Sequence, residues 1–196
     1  HVPLYQSYQH VHDASIFDTL PPAQQSAIKL ALRDFKLSGV ALEADAKKRY
    51  AEISARLSQL SSDFSNHVWD ATQVDFKPLT EEQLEGLPTS SIELLKQYGQ
   101  QRDLDQAVAT LDMPSYIAIM TYAKDRAVRE ALYHAYTTRA SELGRHPEFD
   151  NTPVMQEILA LRQEMAQLLG FQNYAELSLA SKMAPSVKSV QDFLID

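Results

Sequence analysis

From Ala44 to Thr72 the chain runs without a glycine or proline, and Tyr50, Ile53, Leu57, Leu60, Phe64 and Val68 recur at spacings of 3, 4, 3, 4 and 4. An α-helix places residues at those spacings on one stripe. The segment therefore predicts one amphipathic helix about 40 Å long. Such a helix gains little stability alone, and its apolar stripe needs covering by neighbours. The expected fold is all-α or nearly so. It is read as an irregular multi-helix array around a central helix at 44–72, with a small extended or β-ribbon insertion at about 74–111. Residues 1–196 are read as a single helical region, with 74–111 a subregion inside it.

Glycine is scarce (5) and the 9 prolines fall mostly between periodic segments, which suits helices with punctuated junctions. His1–Asp18 reads as a loose helix and a turn. Pro21-Pro22 opens a helix through Ser38, with Gly39 closing it. Beyond the long helix, Val74, Phe76 and Leu79 suggest an extended segment. Thr80 and Gln83 have the spacing of a capping box, and Ser91–Gln97 suggests a brief helix. Ala107–Leu111 suggests a second strand, able to pair with the first. Helices are expected at Ser115–Ala123, at Arg126–Leu143 with Asp125 as cap, at Thr152–Leu169 and at Tyr174–Lys182. A last one starts after Ser186. It has no terminator before Asp196, and the first residue is a histidine, so both ends are expected to be cuts in a longer gene product.

Acidic residues outnumber basic ones, 26 to 18, for a formal net charge of -8. An acidic surface repels phosphate backbones, so no nucleic-acid partner is expected. Lys47, Lys48 and Arg49 form the densest basic run and read as the solvated side of a helix. With no cysteine there is no thiol nucleophile or thiolate metal site, and a cytoplasmic home fits. No apolar run is long enough to span a membrane, and no signal-peptide pattern opens the chain.

The residue types that carry chemistry are scattered. His10 and His12 share a side only if the backbone is extended. His67 lies one turn from both Asp63 and Asp70, where carboxylates favour a charged imidazole. Glu130 and His134 are one residue too far apart for the Glu-x-x-His pattern of di-metal bundles. A zinc peptidase needs two histidines four apart with a glutamate between them to activate water. That pattern is missing, as are the G-x-S-x-G elbow, the P-loop and G-x-G-x-x-G. Tyr116, Tyr122, Tyr133 and Tyr136 are interleaved with Arg126, Arg129 and Arg139. Tyrosine and arginine offer broad contacts with hydrogen-bonding tips and suit peptide-lined grooves, and they equally suit ordinary helix packing at the solvent edge.

Several runs point further: Leu111–Tyr116, Met120–Tyr122, Ala135–Ala140, Ile158–Arg162, Leu168–Ala175 and Ser178–Ala184, with Ala31–Gly39, Arg56–Leu60 and Leu84–Pro88 before them. In combination they resemble the amino-terminal half of the thimet-oligopeptidase-like zinc metallopeptidases. The resemblance implies a mostly helical, split-ellipsoid protein with a deep channel that admits short peptides and cleaves their internal bonds. It implies one zinc ion in the full-length protein, held by an HExxH helix and a further glutamate in the carboxy-terminal half. No metal ligand or catalytic residue of the family can be placed on any position here. The chain is then expected to be inactive alone, with the missing carboxy-terminal catalytic half and short peptides as its partners, and able to self-associate through exposed apolar surface. Tyr116, Tyr133, Tyr136 and Arg139 are candidate substrate-channel residues. The alternatives are a stand-alone helical module that binds peptides or proteins without catalysis, and an independent enzyme whose site is assembled from distant residues.

Overall fold

A computed structural model describes residues 1–195, which contain nine α-helices and one two-stranded ribbon. In chain order the elements are α1 (Val2–Asp13), α2 (Pro22–Leu37), α3 (Ala44–Val74), β1 (Phe76–Pro78), α4 (Thr89–Gln100), β2 (Val108–Thr110), α5 (Met113–Tyr122), α6 (Arg126–Thr138), α7 (Thr152–Leu168), α8 (Tyr174–Leu179) and α9 (Val187–Ile195). Short 3-10 turns lie at Phe17–Thr19, Glu82–Leu84 and Pro147–Phe149. The fold is mostly helical, as the periodicity predicts. Two compact units divide the chain: His1–Gln59 with Glu157–Asp196, and Leu60–Gln156.

The long helix forms over 31 residues, two beyond its expected end. None of its six stripe residues is exposed, and Ile53 and Leu60 are fully buried. Trp69, off that stripe and the one tryptophan in the chain, is 65% exposed.

In the first unit α1 lies against α2, with Tyr5 and Tyr8 each 5.9 Å from the Phe35 ring. The junction after α2 requires glycine. Gly39 has φ +72°, and a Cβ there would stand 2.9 Å from the Tyr50 ring, whose hydroxyl donates to the Leu37 carbonyl at 3.0 Å. The first part of α3 is tied to α7 by two forked pairs. Arg49 donates to both oxygens of Glu164 at 2.6 and 2.8 Å, and Arg56 to both of Glu157 at 2.6 and 2.7 Å. Each guanidinium holds its glutamate below the ordinary carboxylate range, mainly through these hydrogen bonds. The cluster read as a solvated face, Lys47–Arg49, is thus partly committed to structure: Lys47 also donates to the Val40 carbonyl at 3.1 Å.

The second unit holds a continuous apolar core. Leu79, Leu84, Leu87, Leu95, Leu111, Ile119, Val128 and Leu132 are its larger members, all buried. β1 and β2 pair antiparallel, Phe76 opposite Thr110 and Pro78 opposite Val108. The ribbon expected within 74–111 is present, but most of that stretch is not extended. α4 occupies it for 12 residues, starting two residues before its expected start, with Pro88 as the N-cap and Leu95 and Gly99 buried. Gln83 accepts from the Thr80 amide at 3.1 Å, one half of the expected capping box.

Two helices end early. α6 stops at Thr138 where Leu143 was expected, because Ala140 takes a left-handed φ of +52° and its carbonyl turns to accept from the Asn151 amide at 3.1 Å. α8 stops at Leu179, where Lys182 was expected. Asp125 caps α6 as predicted, accepting from Ala127 and Val128 amides at 2.8 and 3.2 Å. Ser186 does the same for α9 through the Ser189 amide at 3.1 Å.

Candidate functional site

The aromatic cluster is set by how β2, α5 and α6 are pinned together in the second unit. At the start of α5 the Ser115 hydroxyl is fully buried and accepts from the Thr110 amide of β2 at 2.9 Å. The Asp112 carboxylate is engaged by the Thr110 hydroxyl at 3.1 Å and by Gln73 at 3.3 Å. At the other end of α5, Arg129 of α6 donates to the Ala123 and Lys124 carbonyls, and the Lys124 amide donates to the Glu85 carbonyl at 2.9 Å. These bonds satisfy backbone groups at both helix ends and fix the register of α5 against α6.

That register stacks Tyr116 on Tyr136, ring centroids 4.1 Å apart and 22° from parallel. The Arg139 guanidinium lies 3.8 Å from the Tyr136 centroid, and its Nη1 donates to the Tyr136 carbonyl at 2.9 Å. The Tyr136 ring thus contacts both Tyr116 and Arg139. Arg139 Nε is buried and has no hydrogen-bond partner among the described residues. Tyr133 stands 54% exposed beside them. Burial pushes the Tyr116 phenol above the ordinary tyrosine range, with Tyr133 and Tyr136 adding to the shift and Arg139 opposing it. With its pKa raised, the Tyr116 phenol stays protonated at neutral pH. It can donate, accept and stack, and it is not a base or nucleophile. The structure therefore brings together Tyr116, Tyr136 and Arg139, with Tyr133 at the edge of the group, in an arrangement suited to binding.

The histidine pairings resolve differently from their sequence neighbourhoods. His10 and His12 lie on α1, so they do not share a side. His12 contacts Asp13 at 3.0 Å, and His134 is exposed on α6. His67 Nδ1 faces Asn151 Oδ1 at 2.9 Å, while Asn151 Nδ2 donates to the Phe64 carbonyl at 3.1 Å. The amide orientation is set by that second bond, so His67 donates from Nδ1. Asn151 is 1% exposed, a buried polar residue between two expected helices. Its position just before Thr152-Pro153 was a cue to a helix-start residue, but its partners on α3 are far away in sequence. The sequence reading also passed over Lys29, Arg33 and Lys36, whose spacing of 4 and 3 puts three cations on one side of α2.

Among the described residues, no group of three or more His, Asp or Glu side chains is placed to hold a metal ion. The sequence resemblance implies its zinc for the carboxy-terminal half, and the described residues offer no ligand set for it. Among the described residues no helix is long and apolar enough to cross a membrane.

Comparison with known proteins adds the following. Residues 119–196 match the sequence model of "Peptidase family M3", and residues 1–47 that of "Neurolysin/Thimet oligopeptidase, N-terminal domain". Aligned over 198 residues, the whole chain is 47% identical to proteins named Oligopeptidase A from Salmonella typhimurium and from Escherichia coli. It is 38% identical over 95% of its length to a protein of Arabidopsis thaliana named Probable cytosolic oligopeptidase A, of which the match covers 27%. The chain spans 29% of the length of the two bacterial relatives.

Proposed function

Because this chain belongs to peptidase family M3, we propose that it is a non-catalytic helical portion of a zinc-dependent, cytoplasmic oligopeptidase that hydrolyses internal bonds of short peptides. Its task in that enzyme is scaffold and substrate-channel wall. The 47% identity to oligopeptidase A along the whole chain carries this reading. The stacked Tyr116–Tyr136–Arg139 group with Tyr133 at its edge supports the wall assignment, since aromatic rings with hydroxyl tips and a guanidinium bind a peptide's carbonyls and side chains. The partner is the carboxy-terminal catalytic half, which brings the zinc ligands. Exposed Met183, Phe193 and Leu194 give apolar surface for that half to cover, or for copies of the chain to cover by self-association.

The test is an exchange. Residues 1–196 replace the aligned stretch of Escherichia coli Oligopeptidase A, and hydrolysis of an internally quenched peptide is followed with and without chelator. Chelator-sensitive turnover in the exchange protein, and none in the 196-residue chain, is expected. Tyr133→Ala and Tyr136→Ala in the exchange protein are expected to raise KM more than they lower kcat. Turnover by the 196-residue chain alone overturns the non-catalytic reading, and unchanged KM in both variants overturns the wall assignment.

A further inference from the structure

A groove of about 470 Å³ lies in the first unit between α1, α2 and the Leu169–Phe171 turn. We propose that it docks an acidic peptide segment carrying an apolar side chain, a binding activity independent of any hydrolysis. Leu32, Leu169 and Phe171 supply apolar lining, and Lys29, Arg33 and Lys36 supply charge. These three cations stand on one side of α2 and outnumber the one carboxylate of the lining, Asp13, so the groove is locally basic in a chain whose formal net charge is -8.

The charges there are unequally engaged. Arg33 is paired with its neighbour Asp34 at 2.7 Å. On the α1 side the Asp13 carboxylate meets His12 at 3.0 Å. Lys29 Nζ lies 5.6 Å from the Phe17 ring centroid. Lys29 and Lys36 are exposed, and neither forms an ion pair among the described residues. Two uncompensated ammonium groups beside an apolar lining select an anion that also has something apolar to bury. A lysine is a point charge on a flexible stem, suited to carboxylates that vary in position rather than to one planar, forked ligand. The groove has the size usual for small-ligand sites, about 300–1,000 Å³, and holds a few peptide side chains. An acidic peptide with leucine or phenylalanine between its carboxylates matches both halves of the lining.

The experiment is calorimetric titration of the 196-residue protein with a capped octapeptide of alternating Glu and Leu. Three competitors are used: the same peptide with Lys for Glu, the same with Ser for Leu, and inorganic phosphate. The Glu/Leu peptide is expected to bind and the Lys/Leu peptide not. The double variant K29Q/K36Q is expected to weaken binding about three- to tenfold, the size of two exposed charge contacts, with K48Q on α3 unchanged. Added salt is expected to weaken binding further. Circular dichroism verifies that both variants keep their helix content, and K36Q alone is the fallback if the pair does not. No binding of the Glu/Leu peptide, equal binding of the Lys/Leu peptide, or unchanged binding by the lysine variants overturns the site. Equal binding of the Glu/Ser peptide, or displacement by phosphate at the same concentration, overturns the peptide assignment and leaves a plain anion site.

Discussion

Replacing Asn151 with alanine tests how the second unit is held together. The side chain is 1% exposed and bridges two points on α3, donating to the Phe64 carbonyl at 3.1 Å and accepting from His67 Nδ1 at 2.9 Å. Two neutral hydrogen bonds contribute about 0.5–1.5 kcal/mol each. The Phe64 carbonyl keeps its own helix bond and half-exposed His67 recovers water, so neither partner is fully orphaned. The void left by a buried amide adds about 1 kcal/mol. The sum is a loss of about 2–4 kcal/mol, or a fall in Tm of about 4–16 °C for a chain of this size. Urea unfolding followed by circular dichroism measures it, and amide hydrogen exchange along Phe64–Ala71 localises it. A double-mutant cycle with His67→Ala isolates the contact, with an expected coupling of about 0.5–1.5 kcal/mol. A loss for Asn151→Ala below about 0.5 kcal/mol, with no coupling to His67, would show that the bridge is only geometric.

Three further outcomes are expected. Glu157 and Glu164 have folded pKa values held below the ordinary range by Arg56 and Arg49. Their contribution is therefore fully present above that range and is lost as pH falls through the depressed values. Acid titration of R49Q/R56Q should show a shallower loss of stability in that window than the parent, and parallel curves would refute the pairing. Gly99→Ala should destabilise by about 1–3 kcal/mol despite alanine's better helix propensity. The new Cβ would stand 2.0 Å from the Gln106 carbonyl oxygen, a backbone atom that cannot swing aside. Thermal melting checks it, and a stability gain would mean that the approach of α4 to the segment before β2 is looser than described. Ultraviolet titration should show Tyr116 ionising later than an ordinary tyrosine, because burial disfavours its charged form. The late phase should lose the Tyr116 share in Tyr116→Phe and keep that of Tyr98, which burial also pushes up, and an undiminished late phase would refute the assignment to Tyr116.

The long helix was legible because its apolar spacing persists over many turns and no glycine or proline interrupts it. Its neighbours' ends were legible where a rule of local chemistry applied, as at Gly39, Asp125 and Ser186. They were misplaced where tertiary structure overrode that chemistry. Ala140 adopts a left-handed conformation that alanine ordinarily avoids, stabilised by a bond to Asn151 across a turn, and α6 ends at Thr138 rather than at Leu143. The tyrosines could be grouped from sequence because they lie close in the chain. That Tyr116 stacks on Tyr136 required the α5–α6 register, which depends on Ser115, Arg129 and Lys124 acting at the two ends of α5. His67 illustrates the opposite case. Its neighbours one turn away suggested carboxylate company, while Nδ1 is satisfied by an amide 84 positions on. Helical spacing reports which residues share a face and carries no information about what the rest of the chain brings to that face.

Trp69 turns this architecture into its own reporter. The one indole of the protein stands mostly in water on α3, two residues after His67 and away from the apolar stripe. Its fluorescence should be red-shifted and open to collisional quenching by iodide or acrylamide. Any segment or second copy that settles over that side of α3 must shift the emission to the blue and shield it from quencher. Docking elsewhere in the same unit leaves the spectrum alone. Occupancy of one chosen face can thus be followed without a label, with Trp69→Phe as the dark control.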